Sequence, residues 1–311
     1  MKYVYAGHEC FIGAVEPRLA NAGFTRVQDA GSADFAFTFC TSQTELEDVY
    51  FGEDGFIQCA EKDTVLIDLS ASTPGFAREL SAVAQVSDLV FVEAPLLIDN
   101  MVSEHVFTDK ENLHCFVAGD EKDIARAETL LKCLVSDIHK TGGSGCAQLA
   151  RAAYTLQIAA QVVSVIEADA LYKATATSLC EPGFSVGRVG AVTEQAKHVL
   201  DAVSAGNFEG AFTIEMFLAE LTSALMCADD VELIMPQAEA AMHLLELVAL
   251  IGGADKSPAA LSLVYADEEV SAEAGLDWTR AEGVYEDGCE DGCGHDHTSD
   301  DDFDDFDYSI N

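Results

Sequence analysis

Short apolar runs alternate with amphipathic stretches through the first half of the chain. Strand-like runs cover residues 2–6, 34–40, 64–68, 89–93 and 113–118. Helical periodicity lies between them, at residues 13–22, 44–50, 74–86 and 123–134. Strands that alternate with helices predict a mostly parallel, doubly wound α/β sheet, which we assign to residues 1–141.

The pattern changes at the glycine-rich stretch of residues 141–145. Residues 146–174 are predicted as one long Ala-rich helix that begins after Ser144 as N-cap and, at ~1.5 Å per residue, spans about 40 Å. Further helices are predicted at residues 192–204, 213–229 and 235–251. We therefore predict an all-α second domain at residues 142–264, joined to the first domain by the long helix.

Hydrophobic periodicity fades from about residue 265, and residues 265–311 are predicted to form an acidic, disordered tail. The formal net charge of the chain is -39, and most of it lies outside the twelve acidic residues of positions 281–311. Such a charge repels nucleic-acid backbones and anionic membranes, so we expect neither as a partner. A metal ion is a more compatible partner.

The densest set of metal-ligand types lies in this tail, at Cys289, Cys293, His295 and His297. Two thiolates and two imidazoles are ligands that Zn²⁺ or Ni²⁺ accepts. Their spacing matches no structural zinc finger, so two interpretations stay open. The tail either holds a metal as part of its function or binds metals adventitiously.

The sequence also carries features that bear on location. The apolar run after Met1 ends at Gly7, which is too short for a signal peptide, and no run approaches about 18 uninterrupted apolar residues. The cysteines mostly stand singly in apolar segments, as expected of buried thiols in a reducing compartment. We expect a cytoplasmic protein without a membrane span.

The turn after the first strand reads Gly7-His-Glu-Cys-Phe-Ile-Gly13. A dinucleotide-binding turn needs G-x-G-x-x-G, so that the backbone can approach the pyrophosphate. Only Gly7 is in register, because Glu9 and Ile12 take the second and third glycine positions. The turn alone therefore predicts only a strand, a turn and a helix.

Several ordered blocks nevertheless resemble the β-hydroxyacid dehydrogenase family, which includes 3-hydroxyisobutyrate dehydrogenase-like and 6-phosphogluconate dehydrogenase-like enzymes. The blocks are residues 1–24, 33–42, 51–55, 65–74, 91–95, 116–121 and 143–145. The resemblance implies a Rossmann-like domain followed by an all-α domain, NAD or NADP as cofactor, and a homodimer formed through the helical domain. It also implies cofactor contacts at Gly7, Asp29, Cys40 and Thr41 and substrate contacts at Ser70, Gly143 and Gly145. For Ser70, a helix-capping role before Pro74 is an equal alternative.

The departures from the family concentrate where its chemistry would be. The catalytic lysine position is Leu149, and the amide-bearing position one turn later is Ala153. Arg151 is predicted to point away from that side of the helix, because two residues correspond to about 200°. His139 and Lys140 are the alternative replacements for the lost lysine.

Further departures affect the binding loops. The substrate loop, S-G-G in the family, reads Leu96-Leu-Ile-Asp99, and the family's Lys-Asp pair corresponds to Ala219-Glu220. Only Ala30-Gly-Ser32 separates Asp29 from the next strand, so about one βα unit is missing. These changes argue against binding of NAD or NADP.

Three functions stay open. The chain is a degenerate homologue with a ligand-binding or regulatory role, or an active NAD(P)-dependent oxidoreductase acting on a small hydroxyacid, aldehyde or imine. In the third hypothesis it is a metal-binding protein that acts through its tail.

Overall fold

One sheet dominates the first half of the protein. The structure, a computed structural model, describes residues 1–179 and 190–281. Across these residues, eight strands form the sheet. In chain order, β1 to β8 are Lys2–Gly7, Thr25–Arg26, Phe35–Phe39, Val65–Asp68, Val90–Glu93, Leu96–Ile98, Leu113–Ala118 and Asp137–Gly142. Strands β2, β1, β3, β4 and β5 lie side by side and run parallel, as predicted.

Two strands of the far edge were not predicted from the sequence. Strand β6 pairs antiparallel with β7, and β8 runs parallel to β7 on its other side. Strand β6 is only three residues long and follows β5 after Ala94 and Pro95, so its apolar run looked like a loop. Strand β8 is largely exposed, and therefore lacks the apolar signature of a core strand.

Helices cover both faces of the sheet, which confirms the doubly wound architecture. Helices α1 to α5 are Glu9–Asn21, Gln43–Phe51, Phe56–Cys59, Pro74–Val86 and Glu121–Leu134. Apolar residues of α1 and α5 pack on one face, and those of α2, α3 and α4 pack on the other. Helix α1 begins four residues before the predicted start, because the His8 side chain accepts a hydrogen bond from the Cys10 N–H and caps it there.

The second half is helical throughout its described residues, as predicted. Helices α6 to α10 are Cys146–Leu179, Glu194–Ala205, Ile214–Asp229, Pro236–Val248 and Glu268–Glu273. The expected start of a disordered tail at residue 265 is too early, because α10 follows it and Leu276 and Ala281 are buried. A segment as short as α10 can bury a few apolar side chains without showing a periodic pattern in the sequence, so the prediction missed it.

Helix α6 runs from the sheet into the helical half and packs on α7, α8 and β7. Its length and hydropathy would suffice to cross a membrane, but 44% of its most apolar window is buried inside the protein, as in a core helix. The prediction that Ser144 caps α6 is wrong, because its hydroxyl donates to the Ala77 carbonyl instead. The Glu93 carboxylate accepts the N–H groups at the start of α6.

Candidate functional site

The turn after β1 is shaped by contact with β3. Gly7 has φ +125°, and a Cβ there would lie 2.1 Å from the Phe39 carbonyl oxygen, so only glycine fits. The His8 N–H donates to that same oxygen at 2.8 Å, and α1 starts at once with Glu9. The exposed Glu9 carboxylate lies 3.9 Å from the Arg26 guanidinium. The positive end of α1 therefore already carries a side-chain cap and a carboxylate where a pyrophosphate would need both positions free.

Asp29 stands beyond β2 and serves a local turn. Its Oδ1 accepts the Gly31 N–H at 3.0 Å and caps the short 3₁₀ turn Ala30–Ser32. That turn leads directly into β3, in place of a second strand-helix unit. The predicted ribose contact at Asp29 stays a prediction.

The ends of β3 and β4 are tied together by two of the predicted contact residues. The N–H of Cys40, which is buried, donates to Ser70 Oγ at 2.9 Å, and the Thr41 N–H donates to Glu45 at 3.1 Å. Burial raises the pKa of the Cys40 thiol well above its ordinary range. The polar groups of Cys40 and Thr41 are thus engaged within the protein at the strand end that a ligand would approach.

Asp68, at the end of β4, organises a buried network. Its Oδ1 accepts from Thr38 Oγ1 and from the Ser70 N–H, both at 2.9 Å, and Tyr50 Oη lies 3.0 Å from Thr38 Oγ1. Burial raises the pKa of Asp68 to about 6. The sequence marked this aspartate only as part of a motif, because nothing local shows that Tyr50 and Thr38 will meet it.

Glu93 and Gln148 fix the start of α6 on the sheet. Glu93 accepts the N–H groups of Gly145 and Gln148, the latter at 3.2 Å. The Gln148 amide in turn donates to the Ser70 carbonyl at 2.9 Å and accepts the Ser72 N–H at 3.0 Å. Burial raises the pKa of Glu93 to about 7. Sequence reasoning missed both residues, since their partners lie more than fifty positions away.

The two predicted glycines play different parts. Gly145 has φ +90°, and a Cβ there would lie 3.1 Å from the Pro74 carbonyl oxygen. Gly143 is exposed, and a Cβ there would meet nothing within 4 Å. Close packing between α4 and the start of α6 therefore requires glycine at position 145. No such close contact requires glycine at position 143.

Leu149 and Arg151 lie on different sides of α6, as the helical geometry predicts. Leu149 is 58% exposed, whereas Arg151 is only 3% exposed. Arg151 forms an ion pair with Glu220 of α8 and donates to Thr155 Oγ1 at 2.7 Å. Arg151 is therefore committed to a buried ion pair. The sequence could place Arg151 but not its partner on another helix.

The substrate loop of the resemblance is a strand here. Residues Leu96–Ile98 are buried and pair with β7, and the Ile98 carbonyl accepts the Tyr154 hydroxyl at 3.2 Å. Asp99 follows and lies 2.7 Å from His114. These backbone groups are engaged in the sheet and cannot present a row of N–H groups to a carboxylate.

The alternative replacements for the lysine lie elsewhere. Lys140 Nζ on β8 is 3.6 Å from Glu128 and 3.7 Å from Glu121, both on α5. The His139 ring stacks loosely near His114 and Phe116, with centroids 6.1 Å away. Neither side chain is placed at the ends of β3 and β4.

The cleft between the strand ends and α8 is nearly closed. The cavity that remains there measures about 10 Å³ and is lined by Phe39, Cys40, Thr41, Ala71, Met216, Ala219 and Glu220. Ser223 of α8 reaches across and donates to the Ala71 carbonyl at 3.4 Å. A space of this size holds at most a single water molecule.

The predicted metal ligands Cys289, Cys293, His295 and His297 lie outside the described residues. Within residues 1–179 and 190–281, no group of three or more His, Cys, Asp or Glu side chains is arranged to hold a metal ion.

Comparison with known proteins gives concordant matches. Residues 14–143 match the model of the NAD binding domain of 6-phosphogluconate dehydrogenase. A probable mitochondrial 3-hydroxyisobutyrate dehydrogenase of Dictyostelium discoideum is 28% identical over 139 residues, 45% of this chain and 42% of that protein. The match thus spans well under two thirds of that relative's length.

Two longer matches extend into the helical half. An uncharacterized oxidoreductase of Bacillus subtilis is 24% identical over 220 residues, 71% of this chain and 75% of that protein. The structure of Mycobacterium tuberculosis 3-hydroxyisobutyrate dehydrogenase with L-serine superposes with a TM-score of 0.68 at 19% identity, over 85% of this chain and 98% of that one. At that identity the superposition shows a shared fold.

Proposed function

We propose that this chain, whose residues 14–143 match the NAD binding domain of 6-phosphogluconate dehydrogenase and whose fold is shared with a 3-hydroxyisobutyrate dehydrogenase, is a divergent β-hydroxyacid dehydrogenase homologue with a ligand-binding or regulatory role that has lost hydride transfer. The observation that carries the proposal is the closed cleft, whose cavity is about 10 Å³. Sites for cofactors and small ligands usually measure roughly 300–1,000 Å³.

The residues around the cleft support the same proposal. The pyrophosphate position faces the Glu9 carboxylate, and like charges there repel. Leu149 can neither donate nor accept a proton, and Arg151 is held by Glu220. A guanidinium is also too basic to exchange protons readily near neutral pH.

A cofactor titration tests the proposal. Purified full-length protein is titrated with NADH and with NADPH, and cofactor fluorescence is followed. We expect no saturable change at micromolar concentrations. The Leu149→Lys variant should stay inactive with hydroxyacids, aldehydes and imines, because restoring the lysine does not open the cleft.

Saturable binding, followed by turnover of any of these substrate classes, would instead establish the active NAD(P)-dependent oxidoreductase and reject the lost site. Binding without turnover in both forms would restrict the loss to the catalytic step.

A metal-binding role of the tail is a second proposal, supported by the ligand types at Cys289, Cys293, His295 and His297. Deletion of residues 283–311 should abolish tight binding of Zn²⁺ or Ni²⁺, measured by competition with a chromogenic chelator. A Cys289→Ser/Cys293→Ser double variant is the matched control for charge. Unchanged stoichiometry after the deletion would reject the role.

We also propose a homodimer formed through the helical domain. Helix α6 leaves apolar side chains exposed, among them Leu149 and Leu171. Such side chains favour a partner surface. Light scattering should give twice the chain mass, and a monomer would contradict this.

A further inference from the structure

A cavity of about 570 Å³ lies in the helical half, where no role has been assigned. It forms where the second half of α6, the end of α7 and residues 262–270 diverge. Its α6 residues lie about twenty positions beyond Leu149, which corresponds to roughly 30 Å along a helix. The cavity is therefore separate from the closed cleft, and its volume is in the usual range for small-molecule sites.

One wall of the cavity is apolar. Ile166 of α6, Val203 of α7, Phe208, Leu263 and Val270 of α10 line it. These residues come from three helices and the segments between them. A hydrocarbon or aromatic group of a ligand would lose contact with water there.

The α6 side of the cavity carries a charged pair. Asp169 is only 6% exposed, and because it lines the cavity its remaining surface faces inward. Its carboxylate lies 2.7 Å from the Lys173 ammonium one helical turn later. The Lys173 side chain is half exposed and lines the same cavity. Asp267, also in the lining, brings the formal charge of the titratable lining residues to about minus one.

This arrangement discriminates among charge types. An anion approaching Lys173 would also meet Asp169 and Asp267, and a cation approaching Asp169 would meet the Lys173 ammonium. A molecule that carries an ammonium and a carboxylate a few ångströms apart complements both members of the pair at once.

We propose that this cavity binds a free amino acid with a large apolar side chain, such as leucine or phenylalanine. The ligand's ammonium donates to the Asp169 carboxylate, and its carboxylate accepts from Lys173. The side chain packs between Phe208 and Leu263. The inference holds whether or not the cleft binds a nucleotide, since the two sites share no residue.

Titration calorimetry with four compounds tests which charged groups of the ligand the cavity recognises. L-phenylalanine and L-leucine should bind the full chain with measurable heat. Phenethylamine lacks the carboxylate and 3-phenylpropanoate lacks the ammonium. Each should bind about 10-fold more weakly or worse, because one charge-assisted hydrogen bond is lost. Equal binding of all three phenyl compounds would reject recognition by the charged pair.

Substitutions inside and outside the cavity distinguish a local loss of binding from a general effect on the protein. Asp169→Asn should weaken phenylalanine binding about 10-fold or more. Ala174→Trp should abolish binding by filling the cavity while the melting temperature is retained. Glu239→Gln, an exposed acid on α9 that does not line the cavity, should bind like the parent.

Two results would overturn the proposal. One is the absence of heat with either amino acid on folded protein. The other is unchanged affinity in both Asp169→Asn and Ala174→Trp. If Ala174→Trp converts a dimer to a monomer and no amino acid binds, the cavity is a subunit contact, and the proposal is also rejected.

Discussion

Arg151 and Glu220 form an ion pair from which water is largely excluded. Burial raises the pKa of Glu220, and the neighbouring guanidinium opposes that shift. Removing one member leaves the other charge buried without a counter-ion. The effect is much larger than the loss of an exposed pair, since solvent cannot replace the missing partner.

Arg151→Met should therefore lower the free energy of unfolding by about 3–5 kcal/mol, measured by urea denaturation. The double variant Arg151→Met/Glu220→Leu should recover much of that loss, because no unpaired charge remains. Lys197→Ala removes an exposed pair with Glu194 and should change stability by about 1 kcal/mol or less. A double variant as unstable as the single one would contradict this account.

Glu93 and Asp68 are carboxyl groups that hold their protons more tightly in the folded chain. Burial raises the pKa of Glu93 from 4.5 to about 7 and that of Asp68 from 3.8 to about 6. The stability from these groups is fully present below their unfolded pKa values. It is lost as the pH rises through the folded values.

The parent protein should consequently lose stability between about pH 4 and about pH 7, and Glu93→Gln should flatten that slope. Melting temperatures across this range provide the measurement. Glu239→Gln removes an exposed carboxylate on α9 and should keep the parent slope. A slope that is unchanged by Glu93→Gln would show that other groups set it.

At the scale of elements, the contact between α4 and the start of α6 sets the angle at which α6 leaves the sheet. Gly145 is required there both by its positive φ and by the nearby Pro74 carbonyl. Its neighbour Gly143 has neither constraint.

Gly145→Ala should destabilise the fold by about 1–3 kcal/mol, because the new Cβ is strained and the helices must separate slightly. Gly143→Ala, two positions away, should stay within about 0.5 kcal/mol of the parent. Chemical denaturation of both variants checks the difference. Equal losses would mean that both glycines serve the same purpose.

Helices and strands with a strong hydrophobic pattern could be predicted from the sequence. Those that form because of pairing with neighbouring strands could not. Helix α4 was predicted with its bounds, Pro74–Val86, but its cap is Thr73 and not Ser70, whose hydroxyl accepts the Cys40 N–H instead. Strand β8 was missed, since an edge strand needs few apolar residues.

The site follows the same division. Cys40, Thr41 and Ser70 were named from the family resemblance of their motifs, whereas Gln148, Glu93 and the Arg151 pair depend on partners distant in sequence. Local periodicity carries no information about such partners.

At the scale of the whole molecule, the charge of -39 is the dominant property. Like charges crowded on a folded surface repel, and salt screens them over a few ångströms. Raising NaCl to about 1 M at neutral pH should increase the melting temperature. The increase should shrink near the pI of 4.1, where the net charge vanishes. A salt effect that is equal at both pH values would point to a cause other than charge.

The fastening of α6 by Gln148 and Glu93 has a mechanical consequence. The helix is 34 residues long, roughly 50 Å, and it packs on α7 and α8 beyond the point where it is fastened to the sheet. A tilt of about 5° at this pivot would move the far end by about 4 Å. Because α7 and α8 pack along α6, such a tilt would carry the helical half with it and would leave the cavity near Asp169 and Lys173 intact.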